Sequence, residues 1–213
     1  MTIHICEQGS EEWHALRRGK VTASRIVDVC ARTKTGWGAS RKNYKAELVL
    51  ERLTGKTAPF FTSQAMKEGQ EKEPIARSEY ELKRRCDVRQ IGFVDHPIIP
   101  MAGASADGFV GEDGLVEIKC PIAATHLEYL EAGTVPSEYV KQIDWNFACN
   151  PGRVWCDFVS FHPDFPEAMQ LFVVRTLRDA KRIAEAESIV RDFEHEVDIE
   201  TRVLRKKYLK VAA

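Results

Sequence analysis

The sequence lacks any long uncharged apolar run and any signal-peptide pattern at its amino terminus. A membrane-spanning helix needs about 20 predominantly apolar residues, and a secretory signal needs a basic, an apolar and then a small-residue region. We therefore expect a protein with no membrane partner, located in the cytoplasm.

Linkers rich in Pro, Gly or Ser, internal repeats and low-complexity tracts are also missing. A chain of 213 residues can bury a sizeable core, and without a linker a single domain over 1–213 is favoured. Its core is expected over about 10–175 and a C-terminal helix over about 177–210.

The six cysteines include no Cys-x-x-Cys pair and lie far apart. This spacing argues against a zinc ribbon and against a disulfide framework. Cys149, Cys156 and His162 match no common zinc finger and are separated by turn residues. We expect most of the cysteines to be buried thiols.

The formal net charge is only −1, so no strong overall field attracts a polyanion. Contact with nucleic acid would have to come from metal ions and from local basic clusters, which occur at 17–20, 32–45 and 205–207. Solvated helix ends explain such clusters equally well.

What the sequence does contain is a hairpin pattern. The β-prone runs Phe109-Val110 and Leu115 to Cys120 are separated by Gly111-Glu112-Asp113-Gly114, with Asp-Gly at the tip. Because side chains alternate along a strand, Glu117 and Lys119 share one face. The other face carries residues that a core would take: Val116, Ile118 and Cys120.

Asp107 precedes this hairpin and would lie close to Glu117 and Lys119. Two carboxylates and an ammonium at one place can hold a divalent metal ion and activate water against a phosphodiester. A metal-dependent nuclease is therefore our leading hypothesis. The alternative is an ordinary turn followed by charged residues on a solvated strand face.

The amino-terminal segment predicts two short helices. Ser10 is a suitable N-cap for a helix that ends around Arg18, and Thr22-Ala23-Ser24 opens the second helix. Arg17 would then lie near a hydroxyl group and free backbone amides, which is a plausible phosphate site. Alternatively, Arg17 is a surface residue and Ser24 is only a helix cap.

Further elements follow from periodicity. An exposed loop that contains Trp37 is predicted over 33–40, and a helix over 43–53. A further helix is predicted over 64–83, where Pro74 should kink the turn around Glu73. Glu73 is either a functional carboxylate or an ordinary surface glutamate.

More strands are predicted over 88–94, 98–99, 154–161 and 171–174, with helices from Ser137 and over 177–210. Strands interleaved with helices in this order favour an α/β (α+β) fold with a central mixed sheet flanked by helices.

From about Trp13 to about Phe161 the chain resembles the lambda-exonuclease (YqaJ-type) branch of the PD-(D/E)xK nucleases. The resemblance implies a restriction-endonuclease-like core. It is carried by four motifs in the same order: 13–19 with 22–24, 69–74, Ser105-Ala106-Asp107-Gly108, and Glu117-Ile118-Lys119-Cys120-Pro121. Two departures are Ala106, where the family has proline, and the loop at 33–40, which does not match well enough to imply a DNA contact.

The resemblance implies roles for individual residues. Two Mg²⁺ ions, replaceable by Mn²⁺, would be held by Asp107, Glu117, the Ile118 carbonyl and Glu73, with Lys119 as the further catalytic residue. Arg17, Ser24, Ser105 and Gln142 would bind the 5′-phosphate. Tyr139 would lie on a helix facing the site, and Met66 would be an apolar wedge where the duplex separates.

The implied function is 5′-to-3′ digestion of the 5′-phosphorylated strand of linear double-stranded DNA to mononucleotides, leaving a 3′ overhang for strand annealing. The implied partners are double-stranded DNA ends, a single-strand annealing protein and two further copies of the chain in a trimeric ring. An endonuclease or junction resolvase of the same superfamily is an alternative. A non-catalytic DNA-binding or scaffold module is another.

Overall fold

The computed structural model describes residues 2–59 and 63–209. Within them, helices and short strands alternate. The helices are α1 (Glu11–Arg17), α2 (Ile26–Val29), α3 (Ala39–Thr54), α4 (Gln64–Arg84), α5 (Ala123–Ala132), α6 (Ser137–Cys149), α7 (Glu167–Gln170) and α8 (Ala180–Tyr208). The strands are β1 (Ile3–His4), β2 (Val21–Thr22), β3 (Arg32–Thr33), β4 (Gly36–Trp37), β5 (Val88–Arg89), β6 (Phe93–Asp95), β7 (Ala102–Ala104), β8 (Gly108–Val110), β9 (Gly114–Lys119), β10 (Trp155–Phe161) and β11 (Leu171–Leu177).

The largest sheet has five strands in the order β11-β10-β9-β8-β5. It is mixed, because β9 and β10 are parallel while the other neighbours are antiparallel. The predicted hairpin is confirmed as the antiparallel pair β8 and β9, with Gly108 opposite Val116. The predicted α/β class with a mixed sheet is thus confirmed.

A second sheet orders its strands β1-β6-β7-β2, and β3 and β4 form a separate small hairpin. The prediction of one strand over 88–94 was wrong, because β5 and β6 belong to different sheets. Residues 98–99 form no strand, and part of the predicted loop at 33–40 is β4 and the start of α3. Strands of two or three residues are too short to show a period.

Helices cover both faces of the five-stranded sheet. Val116 and Ile118 pack in one apolar cluster with Tyr80 of α4. On the opposite face, Leu115 and Phe158 pack in a larger cluster with residues of α3, α6 and α8. The predicted alternation along β9 is therefore confirmed, and Glu117 lies on the face covered by α6.

Helix α4 brings Glu73 beside the end of β9. The helix continues through Pro74, although proline removes one hydrogen bond of the helical ladder. At Gly69 an added Cβ would lie 3.2 Å from the Cys120 carbonyl oxygen. The absence of a side chain there lets α4 approach β9 closely.

The C-terminal helix was predicted over 177–210 and is observed as α8, which begins three residues later, at Ala180. It begins later because β11 continues to Leu177 and Asp179 caps the helix. Lys210, the end of that prediction, lies outside the described residues. Helix α8 buries Ile183 and Phe193 in the larger cluster. The single-domain organisation over 1–213 stays a prediction.

In the part of the chain that the structure describes, no helix is long and apolar enough to span a lipid bilayer.

Candidate active site

Three side chains predicted to be catalytic lie close together at the β8–β9 hairpin. Asp107 follows β7, and its Oδ2 accepts a hydrogen bond of 2.6 Å from the backbone N–H of Ile118. Glu117 and Lys119 flank Ile118 on β9, and the Lys119 Nζ lies 2.5 Å from Glu117 Oε1. Asp107, Glu117 and Lys119 thus lie together, as predicted.

Glu117 is fully buried, which argues against the alternative of charged residues on a solvated strand face. The reason is that α6 covers this face and supplies two amide donors. Gln142 Nε2 donates to Oε1 at 2.5 Å, and Asn146 Nδ2 donates to Oε2 at 3.0 Å. Burial, and then the nearby charge of Asp107, raise the pKa of Glu117 to about 7.

Lys119 is the positive charge among these carboxylates. Its side chain is 25% exposed, so it reaches solvent where Glu117 does not. Although burial opposes the effect, the charges of Glu117 and then Asp107 raise the pKa of Lys119 above its ordinary value. Its Nζ also lies 5.3 Å from the centre of the Tyr139 ring, which stacks on Phe158.

Glu73 contributes a third carboxylate from α4. Its Oε1 accepts a hydrogen bond of 2.7 Å from Arg77, one helical turn further along. Burial, and then the charge of Asp107, raise the pKa of Glu73. Glu73 and Asp107 are therefore close enough for their charges to repel each other.

These residues suit a hard divalent cation, because Mg²⁺ prefers carboxylate and carbonyl oxygens and a cation would offset the mutual repulsion of the three carboxylates. In residues 2–59 and 63–209, however, no three His, Cys, Asp or Glu side chains are arranged to hold a metal ion. Lys119 and Arg77 instead contact one oxygen each of Glu117 and Glu73.

A second cluster forms around Arg17, at the end of α1. Its guanidinium donates to Ser105 Oγ at 3.3 Å, to Ser24 Oγ at 3.3 Å and to Thr22 Oγ1 at 3.4 Å. It stacks 4.0 Å from the centre of the Trp13 ring, and the Trp13 indole N–H donates to Ser105 at 2.9 Å. The structure thus brings together Arg17, Ser24 and Ser105, as the resemblance implied.

The Arg17 guanidinium has only neutral hydrogen-bond partners among the described residues. Burial lowers the pKa of Arg17 to about 10, which still leaves the group charged at neutral pH. A half-buried cation surrounded by hydroxyl groups is suited to bind an anion, because charged donors form strong hydrogen bonds with phosphate oxygens.

The two clusters are adjacent in space. Ser105 of the Arg17 cluster and Asp107 of the carboxylate cluster are two residues apart, so their Cα atoms are separated by at most about 7 Å. An open cleft of about 1160 Å³ is lined by Arg17 and Ser24 and by Met66 and Glu73. Met66 is 42% exposed there.

Of the two residues predicted on α6, Gln142 lies elsewhere than expected and Tyr139 lies where it was predicted. Gln142, predicted to bind phosphate with Arg17, lies on Glu117 in the carboxylate cluster. Tyr139 faces Lys119, in agreement with the helix predicted to face the site.

Sequence reasoning missed Asn146, Arg77 and Thr22 as parts of the site. Asn146 follows Gln142 by one helical turn, and Arg77 follows Glu73 by the same spacing. This spacing was an available signal, because residues four apart share a helix face. Thr22 was predicted to open a helix and belongs to the motif at 22–24, but no contact with Arg17 was predicted for it.

A mixed sheet carrying Asp107, Glu117 and Lys119 on one hairpin defines the class of the PD-(D/E)xK nucleases. A family model of the YqaJ-like viral recombinase domain matches residues 12–151, which is well over half of the chain. The chain belongs to this YqaJ-like viral recombinase family.

Solved structures agree. Two crystal structures of LHK-Exo, an alkaline exonuclease from Laribacter hongkongensis, align with TM-scores of 0.88 and 0.87 at 46% identity. Each alignment covers 95% of this chain and 100% of LHK-Exo, and one of the two is a complex with dAMP. A phage-related exonuclease from Haemophilus somnus 129PT aligns with a TM-score of 0.64 at 16% identity. That alignment covers 88% of this chain and 98% of the other chain, and at this identity it shows a likeness of fold alone. No curated protein matches the chain.

Proposed function

We propose that this protein is a Mg²⁺-dependent exonuclease that digests the 5′-phosphorylated strand of linear double-stranded DNA in the 5′-to-3′ direction. It releases mononucleotides and leaves a 3′ single-stranded overhang. The observation that carries the proposal is the adjacency of the two clusters: Ser105 on Arg17 and Asp107 in the carboxylate cluster are two residues apart, and Arg17 and Glu73 line one cleft.

The Arg17 cluster supports the choice of the 5′ end. A terminal phosphate has more negative charge and more free oxygens than an internal one, so it is the better ligand for the half-buried Arg17 guanidinium and the hydroxyls of Ser24 and Ser105. Binding the terminal phosphate places the next phosphodiester toward Asp107.

The carboxylate cluster supports hydrolysis. Asp107, Glu117, the Ile118 carbonyl and Glu73 would hold two Mg²⁺ ions, or Mn²⁺ in their place. When bound, the metal would lower the pKa of water and offset charge on the phosphate. The chain's own part is to orient these oxygens and to exclude solvent around Glu117, which is fully buried.

Lys119 is the cation beside the reacting group. Its ammonium would orient the nucleophile and stabilise negative charge that develops on the phosphate. The Tyr139 ring, whose centre lies 5.3 Å from the ammonium nitrogen, is a further partner for the positive charge. Met66, exposed in the cleft, would separate the strands of the duplex.

The test uses linear duplex DNA labelled at either end, incubated with Mg²⁺ or with a chelator. We expect loss of the 5′ label as mononucleotide in Mg²⁺ only, a strong preference for 5′-phosphoryl over 5′-hydroxyl ends, and an intact closed circular duplex. Release of the 3′ label first would refute the polarity. Cleavage of the circle would favour the endonuclease or junction resolvase, and no metal-dependent loss of DNA would favour the non-catalytic module.

The assembly proposed for this function is a homotrimeric ring in the cytoplasm, threaded by double-stranded DNA. With a net charge of −1, such a ring would need its basic residues toward the DNA and its acidic residues outward. The 3′ overhang would pass to a single-strand annealing protein. A solution mass showing only monomer would refute the ring.

A further inference from the structure

Helix α6 places two amides on one carboxylate. Gln142 and Asn146 are four residues apart and therefore lie on the same helix face. One amide donates to each oxygen of Glu117, Gln142 to Oε1 and Asn146 to Oε2. The carboxylate is thereby fixed in both position and rotation about its last bond.

Asn146 differs from Gln142 in its exposure, since Gln142 is partly exposed. Asn146 is fully buried, and within the described part of the chain its Oδ1 has no hydrogen-bond partner. A buried polar atom without a partner is unfavourable for folding, and an apolar side chain of similar volume would avoid that loss. The single hydrogen bond from Nδ2 to Glu117 is thus the polar contact that Asn146 makes with its side chain.

Three contacts hold α6 in place around this amide. The Trp145 indole N–H donates to the Gly103 carbonyl of β7 at 3.2 Å. Asp144 accepts two hydrogen bonds from Arg182 of α8, at 2.7 and 3.1 Å. Because Asp144 and Trp145 immediately precede Asn146 in the helix, the Nδ2 donor is held in a defined position relative to the sheet.

We propose that Asn146 is a positioning residue that orients the Glu117 carboxylate for binding of the divalent cation. The inference rests on the proposed function, since it assumes that Glu117 is a metal ligand. Removing such a partner of a metal-binding carboxylate is expected to weaken metal affinity by about 10- to 100-fold. Binding of DNA through the Arg17 cluster should change little, because Asn146 does not contact that cluster.

The test compares Asn146→Leu, which has a similar volume and no donor, with Asn150→Ala. Asn150 is a matched control because it is also buried at the end of α6, and its side chain donates to the Asn146 backbone carbonyl at 2.8 Å but not to Glu117. Asn146→Ser, which keeps a hydroxyl donor, and Asn146→Ala serve as a second pair if Asn146→Leu does not fold. Folding of each variant is checked by thermal melting.

Two readouts are measured on the full chain: Mn²⁺ affinity without DNA by electron paramagnetic resonance, and kcat and KM for linear duplex as a function of Mg²⁺. We expect Asn146→Leu to bind Mn²⁺ about 10- to 100-fold more weakly, to need correspondingly more Mg²⁺ for half-maximal kcat, and to keep its KM for DNA. Asn146→Ser should be affected less than Asn146→Ala. Asn150→Ala should melt at a lower temperature with unchanged metal affinity.

The inference is overturned if the Asn146 variants bind Mn²⁺ within twofold of wild type, or if Asn150→Ala loses as much affinity as they do. A wild-type chain that cleaves no DNA in Mg²⁺ and binds no Mn²⁺ would instead refute the proposed function itself. The two failures are therefore distinguishable.

Discussion

Replacing Arg17 by alanine should remove most of the preference for 5′-phosphorylated ends. In the structure Arg17 is half-buried, and its guanidinium stacks on Trp13 and donates only to the hydroxyls of Ser24, Ser105 and Thr22. A bound phosphate would be its sole anionic partner among these groups. Hydrogen bonds to charged groups contribute about 1.5–3 kcal/mol each.

Since about 1.4 kcal/mol corresponds to a factor of ten, the loss of one such bond lowers the ratio of kcat/KM for 5′-phosphoryl and 5′-hydroxyl duplexes by roughly 10- to 100-fold. Arg17→Lys should lie between wild type and Arg17→Ala, because lysine keeps the charge and loses the forked geometry and the stacking. The assay is time-resolved release of nucleotide from two duplexes that differ only in the 5′ group.

Arg18→Ala is the matched control, because its neighbouring guanidinium donates to Thr57 at 3.3 Å and not to the Arg17 cluster. The ratio should stay near the wild-type value in this variant. An unchanged ratio in Arg17→Ala, or an equal fall in Arg18→Ala, would show that the Arg17 cluster does not recognise the phosphate.

Three further predictions concern the hairpin and its support. Lys119→Ala should lower kcat about 100- to 1000-fold while duplex affinity, measured by fluorescence anisotropy in chelator, stays within a few-fold; near-normal turnover would contradict the role given to Lys119. Tyr80→Phe removes a 2.8 Å hydrogen bond to the buried Asp157 and should lower the free energy of unfolding in urea by about 1–3 kcal/mol, whereas no change would mean that this bond does not help to hold α4 on the sheet. Gly103→Ala should lower the free energy of unfolding by about 1–3 kcal/mol or more, because the added Cβ would lie 2.2 Å from the Phe93 ring. Gly152→Ala is the control: it has open space around its Cβ and should melt like wild type.

The hairpin was predictable because its signals are local. Asp113-Gly114 marks the turn, and the alternation of Glu117 and Lys119 with apolar residues fixes the face of each side chain. The structure confirms the pairing and the alternation. The burial of Glu117 was not predictable in the same way, since it depends on α6, which is distant in sequence.

Helix α5 and the division into two sheets were missed for different reasons. Residues 123–132 contain good helix formers and end at Gly133, which has a left-handed backbone conformation, so a local signal was present. By contrast, β5 and β6 are separated by only three residues yet pair in different sheets. Their partners, β8 on one side and β1 and β7 on the other, follow from tertiary packing.

Ser105 and Asp107 share one short stretch of backbone that runs from β7 into β8. A shift of this stretch would move both side chains together, so under the proposed function the distance from the bound 5′-phosphate to the bond being hydrolysed would stay nearly constant. Each cut would then shorten the strand by the same length whatever the base sequence, because this distance is set by two peptide units and not by contacts to bases.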